Sequence, residues 1–243
     1  MATSTAALRK LERNEALTDD ERAAYVAILG RTRTFGARED IMPEGARPTF
    51  STVMLTGVAC RYRTMLEGRR QIVSLQFAGD MCDLHSLLLQ PMDHAIGALT
   101  ACTVAQIPHE TVREVVRRHP RLGEAFWRDT LIDGAVFREW IVSLGRRTAY
   151  VRVAHLFCEA LVRLRAVGLA EGCEFDLPLT QADLADAFGL SIVHVNRVLQ
   201  RLRSDGLVSM RGGRVAIHDW RGLKAAAEFS PAYLHLGADV EPV

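Results

Sequence analysis

No apolar run in this 243-residue chain approaches the ~20 residues that a membrane helix needs. The first ten residues, Met1 to Lys10, carry no apolar stretch of the signal-peptide kind. A cytoplasmic protein with no membrane partner is therefore expected. Charge of one sign is also lacking: 30 Lys+Arg stand against 29 Asp+Glu, and a net charge of +1 points to no partner by itself. Five cysteines occur, Cys60, Cys82, Cys102, Cys158 and Cys173, widely spaced and without a Cys-x-x-Cys. A four-cysteine zinc or iron–sulfur site has no closely spaced pair to start from, and structural disulfides are not expected in this compartment. Internal repeats and low-complexity tracts are absent. What remains is an ordinary globular composition, 49% hydrophobic and 24% charged, which allows a sizeable core and excludes a fibrous or wholly disordered chain. The length suits one large domain or two ordinary ones.

The texture changes along the chain. Residues 1–29 read as helical, with Thr18 and Glu21 forming a capping box. From Gly30 to Pro108, short β-prone pieces such as 52–55, 72–75 and 103–107 lie between glycines and prolines, as in a β-barrel or sandwich. Helices return with His109–Arg118, stopped by Pro120, and then with a long stretch from Leu122 to Leu144. There Phe126, Ile132, Val136, Trp140 and Leu144 recur mostly at four-residue steps, and Leu131, Ala135 and Ile141 widen the stripe. Two readings stay open: an ordinary core helix, or a dimer helix whose second apolar face meets its twin. Gly145 to Thr148 forms the expected interdomain joint, and another helix runs from Ala149 to Val167, ended by Gly168. The link 171–174 reads as polar.

Residues 179–218 are the most informative. A capped helix over 179–188 stops at Gly189, Leu190 follows, and Ser191 caps a second helix over 192–203. Two helices joined by a short glycine-containing turn form a helix-turn-helix. The second helix leaves Val193, His194, Asn196, Arg197, Gln200 and Arg201 off its apolar stripe. Between Ser191 and Arg214 five arginines face one acid, Asp205. An α-helix fits the DNA major groove, where arginine reads guanine in bidentate fashion. Val193, Asn196 and Arg197 are the candidate base readers. Thr180, Gln181, Ser191, His194, Arg211 and Arg214 are the candidate phosphate contacts, the hydroxyls because helix N-termini suit phosphate oxygens. After the Asp205-Gly206 turn, 207–210 and 215–217 pair as a small hairpin wing around Arg211-Gly212-Gly213-Arg214.

The stretch 179–208 resembles the winged helix of the Crp/Fnr family of bacterial transcription regulators. The resemblance extends to Gly79-Asp80 and to Thr100–Ile107, which look like landmarks of that family's cyclic-nucleotide-binding-type barrel. The long helix sits where the family has its dimer helix. The resemblance implies an α+β architecture: a jelly-roll-like β-barrel sensor domain with N-terminal helices (residues 1–121), a dimerisation helix (122–145) and a winged helix-turn-helix domain (146–243). It implies a homodimer binding double-stranded DNA at a palindromic operator and meeting RNA polymerase, with Phe126, Ile132, Val136, Trp140 and Leu144 at the dimer interface. Arg197 occupies the place of the family's base-reading arginine, while Val193 stands where well-known members carry a glutamate. A valine can touch a thymine methyl but cannot accept from cytosine N4.

The family's nucleotide-binding members hold the ribose with a glutamate and the cyclic phosphate with an arginine. Here Asp83-Leu84 replaces the Gly-Glu pair, and residues 84–101 contain no arginine or lysine. A buried phosphate without a cation is costly, so cyclic AMP is not an expected effector. No cysteine precedes Cys60, so the iron–sulfur cluster of oxygen-sensing relatives is not expected either. Cys82, Asp83, His85 and His94 stand there instead as the candidate effector region. Such residues could ligate a metal or haem, or simply hold a turn and pack. No metal or cofactor is assigned, and the effector is left open. The protein is expected not to be an enzyme. The competing readings are an effector-independent regulator with a structural barrel and a cupin-like metalloenzyme fused to a DNA-binding domain.

Overall fold

A computed structural model describes residues 5–13, 16–236 and 240–242 of the chain. The helical reading of residues 1–4 and 14–15 lies outside them. The elements in order are α1 (Thr5–Glu12), α2 (Asp19–Ile28), β1 (Thr32–Phe35), β2 (Asp40–Met42), β3 (Phe50–Thr56), β4 (Ala59–Thr64), β5 (Arg70–Gln76), β6 (Ala95–Ala98), β7 (Cys102–Pro108), α3 (His109–Arg118), α4 (Pro120–Arg146), α5 (Ala149–Ala166), β8 (Ala170–Glu171), β9 (Glu174–Asp176), α6 (Gln181–Phe188), α7 (Ile192–Ser204), β10 (Val208–Arg211), β11 (Arg214–Ile217) and α8 (Trp220–Ala226). Short 3-10 turns cover Leu84–Leu87 and Pro231–Leu234. The chain divides into two compact units, Met1–Arg63 with Leu75–Gly134 and Thr64–Ser74 with Ala135–Val243.

The β-rich unit is built on alternation. Val53 and Leu55 of β3, with Ala105 and Ile107 of β7, pack with Tyr25, Val112, Leu122 and Phe126 from the helices. Their neighbours Met54, Cys102 and Val104 join Phe35, Ile41, Met42, Ile96 and Ala98 in a second cluster. Successive strand side chains point to opposite faces, so in the sheet ordered β1-β7-β3 the strands β7 and β3 are buried on both sides, while the edge strand β1 exposes Thr32, Arg33 and Thr34. The other sheet is ordered β2-β6-β4-β5. The expected strand segments 52–55, 72–75 and 103–107 all fall within strands.

The Gly79-Asp80 landmark has a physical reason. Gly79 has φ +100, and a Cβ there would lie 3.0 Å from the Ala6 carbonyl oxygen, so only glycine lets α1 close on this turn. Asp80 then accepts from the Phe77 amide at 2.7 Å and pairs with Lys10 at 2.8 Å. Lys10 also pairs with Asp129 of α4 at 2.7 Å.

The long helix α4 divides between the two units at Gly134 and Ala135. Phe126 is buried against Tyr25, ring centroids 5.9 Å apart. Trp140 is buried too, stacked on Phe188 at 6.1 Å, and its Nε1 donates to Glu159 Oε2 at 3.2 Å. Val136 is likewise buried, and Ile132 and Leu144 are half-buried. Phe126, Val136 and Trp140, expected at the dimer interface, are therefore core residues of the chain itself. The exposed large apolar residues of α4 are Trp127, Leu131, Ile141 and Val142. A four-step repeat marks apolar faces but does not say which one the chain covers itself.

In the second unit α5 is buried along most of its length. The wing is larger than a hairpin. Its sheet is ordered β10-β11-β9-β8, and the polar link 171–174 is the tight turn between β8 and β9, with Gly172 at φ +57. Two-residue strands are too short to show alternation in the sequence.

Candidate nucleic-acid interface

Thr180 caps α6: its hydroxyl accepts from the Asp183 amide at 3.1 Å, and Asp183 Oδ2 accepts from the Thr180 amide at 2.9 Å. Gly189 ends the helix in the left-handed conformation, φ 63, which releases the chain into the turn without a Cβ penalty. Ser191 then caps α7 by accepting from the His194 amide at 3.2 Å. Val195, Val198 and Leu202 bury one face of α7. The opposite face exposes Val193, His194, Arg197, Gln200 and Arg201, and Val193 is 61% exposed. Between α7 and the wing lies a cleft of about 360 Å³ whose lining includes Gln181, Asn196, Gln200, Arg203 and Gly212.

The side chains differ in how free they are to reach a ligand. Arg197 and Arg211 are exposed and make no hydrogen bond or ion pair among the described residues. Asn196 is half-buried, and its Nδ2 donates to Gln181 Oε1 at 3.3 Å, so a candidate base reader and a candidate phosphate contact are tied to each other. Arg214 is held by Glu174, Nη2 to Oε2 at 2.8 Å, across the wing. Arg201 lies over the Tyr150 ring at 4.9 Å, and the Tyr150 hydroxyl donates to Asp205 at 2.7 Å.

One functional neighbour escaped the sequence reading. Arg70 donates from Nη2 to Asp183 Oδ1 and from Nε to Asp186 Oδ2, both at 2.9 Å, and so braces α6. The partners lie 113 and 116 residues away in the sequence, and no local pattern signals them.

The candidate effector residues do not form one cluster. The Asp83 carboxylate is fully buried and accepts from both the amide and the hydroxyl of Thr52. Burial pushes it up to about 6, against those hydrogen bonds and the Arg61 charge. Cys82 is buried, and burial next to Asp83 raises its thiol well above the ordinary range, away from the thiolate that a metal needs. His85 and His94, in contrast, approach each other, ring centroids 5.2 Å apart, and Asp93 joins them. Burial, then the Arg61 charge, then His94 push His85 down to about 4. Burial and Arg61 also lower His94, whose Nδ1 hydrogen-bonds Asp93 at 2.8 Å.

A capped helix, a left-handed glycine turn, an exposed arginine-bearing helix and a wing together define a winged helix-turn-helix protein, here joined to a β-rich unit. Comparison with known proteins makes the class specific. Residues 151–226 match the Crp-like helix-turn-helix domain family and residues 32–119 the cyclic nucleotide-binding domain family. The chain is 30% identical over 175 residues to a protein of Rhizobium leguminosarum described as a probable transcriptional activator, covering 72% of each chain. It is 29% identical over 202 residues to the transcriptional activator protein FnrL of Cereibacter sphaeroides, covering 82% of this chain and 81% of that protein. The structure of FixK2 from Bradyrhizobium japonicum shares the fold, with a TM-score of 0.71 at 22% identity over 82% of this chain and 98% of that one. The chain belongs to the Crp/Fnr family and is a DNA-binding transcription factor of that type.

Proposed function

We propose that the protein acts as a homodimer on a two-fold symmetric operator, reading bases with Arg197 and Val193 of α7. The observation that carries this is Arg197 itself: exposed on the free face of α7, without an intramolecular partner among the described residues, next to an apolar Val193. Ser191, His194 and Arg211 approach phosphates directly. Thr180, Gln181 and Arg214 contribute phosphate contacts through groups already held in place, and Asn196 reads a base only if it leaves Gln181. The dimer forms through Trp127, Leu131, Ile141 and Val142 of α4. RNA polymerase is the further partner, the cytoplasm the site of action, and no catalytic step is assigned. Among the described residues no helix is long and apolar enough to cross a membrane. Cyclic AMP is not the effector on this reading, since residues 84–101 offer no cation to its phosphate.

Selection of bound DNA from a random pool tests the reading. The wild-type protein should enrich a palindrome with half-sites about one helical turn apart, ~34 Å. Arg197→Ala should weaken each half-site by ~1–3 kcal/mol and relax preference at one base pair. Enrichment of the same sequence with equal affinity by wild type and Arg197→Ala would move the reading element away from α7.

A further inference from the structure

The β-rich unit holds a cluster that DNA binding does not use. His85 stands in the 3-10 turn Leu84–Leu87, and Asp93-His94 immediately precede β6. One ligand-type atom from each of His85, Asp93 and His94 lies within 4.8 Å of the others. The Nε2 atoms of both histidines are buried and have no hydrogen-bond partner. Two unpaired imidazole nitrogens side by side need a shared explanation, because a buried polar atom left without a partner is costly. A hydrogen bond between the two is not present. The pairing of His94 Nδ1 with Asp93 resolves which nitrogen is available: the carboxylate accepts, so Nδ1 carries the proton and Nε2 presents its lone pair.

We propose that His85 Nε2 and His94 Nε2, with Asp93 orienting His94, form a binding site for a divalent transition metal that favours imidazole, zinc or nickel. Carboxylate, histidine and metal in line is the arrangement that fixes a ligand's tautomer and raises its basicity. Neutral imidazole is the form that ligates, and in each ring the buried Nε2 has no other hydrogen-bond partner among the described residues. Magnesium and calcium prefer oxygen donors and do not suit this pair. Two nitrogen ligands leave coordination positions open for water or a small anionic ligand, unlike a closed structural site.

The position gives the metal a lever. Arg61 acts electrostatically on both histidines, and its guanidinium is buried, donating to the Cys82 carbonyl at 2.8 Å and pairing with Asp133 of α4. A dication entering beside Arg61 repels that guanidinium and attracts Asp133, so it biases the ion pair between Arg61 of β4 and Asp133 of the long helix.

Zinc titration of the full-length, chelator-treated protein without DNA tests the site independently of the operator reading. Wild type should bind one Zn²⁺ per chain more than the His85→Gln/His94→Gln double variant. Either single variant should bind at least about tenfold more weakly, and Asp93→Asn should cost ~10–100-fold in affinity. Melting temperatures in chelator, compared with wild type, confirm that the variants are folded. In wild type labelled with ¹⁵N-histidine, zinc should shift the Nε2 resonances of two histidines, which needs no variant at all. Zinc uptake by the double variant equal to wild type, or no imidazole shift in wild type, would overturn the site. A gel shift unaffected by the outcome keeps the DNA-binding reading separate.

Discussion

His109 opens α3 with its imidazole almost wholly buried and its Nε2 3.2 Å from the Ser86 hydroxyl. Burial, and then the Arg113 charge, lowers its pKa below the ordinary histidine value. In the unfolded chain the ring takes a proton as pH falls through about 6.5, while the folded chain resists it. The unfolded state then binds more protons, so stability falls as pH falls below that value. His109→Gln, which keeps a hydrogen-bonding group near Ser86 without titrating, should flatten this loss. Urea midpoints of both proteins between pH 7 and pH 5 would show it, and parallel curves would exclude His109 as a source. The residue scale is also where sequence reading divides. Arg197 and Val193 were legible because a helix between two caps fixes which side chains face outwards. The hydrogen bond between Asn196 and Gln181, the paired histidines, and the burial of Asp83 under Thr52 were not, since each depends on elements brought together by the fold.

At the scale of elements, the two helices of the reading motif carry their own boundaries. Thr180, Asp183, Gly189 and Ser191 are local signals, and each caps or breaks a helix where the sequence places it. The brace on α6 is different in kind. Asp183 has a side chain only 1% exposed, and besides its cap contacts it pairs with Arg70 on β5. Removing a charged partner from a buried carboxylate costs more than the net worth of the pair, because the charge stays behind desolvated. Arg70→Ala should therefore lower stability by ~1–3 kcal/mol. Arg70→Lys should restore only part of it, since a lysine point charge cannot serve Asp183 and Asp186 together as the guanidinium fork does. Chemical unfolding of the three proteins checks this, and an Arg70→Ala variant as stable as wild type would show that solvent takes over the brace. The same comparison explains why the small strands β8 and β9 escaped notice. Two and three residues hold too little pattern, and only pairing with β11 gives them a sheet to belong to.

For the whole molecule the decisive element is α4, whose 27 residues carry apolar side chains on more than one face. The sequence marks those faces without ranking them, and the fold ranks them by covering one. Trp140 illustrates the consequence. Buried, stacked on Phe188 and bonded to Glu159, it is part of the chain's own core. A charge at Trp140 would unfold its surroundings and say nothing about assembly. Leu131 and Ile141 are 58% and 68% exposed, so aspartate at both positions leaves the monomer's core intact. In a dimer joined through this face, the same carboxylates would be forced out of water beside their copies, which is strongly unfavourable. Leu131→Asp with Ile141→Asp should therefore give monomers by light scattering with an unchanged helical circular dichroism signal. Operator affinity should fall with dissociation, by ~10²–10⁴, because each half-site is then bound alone rather than at the high effective concentration set by its twin. A double variant that remains dimeric would place the interface on another surface. One that dissociates yet binds the palindrome as tightly as wild type would separate assembly from DNA recognition.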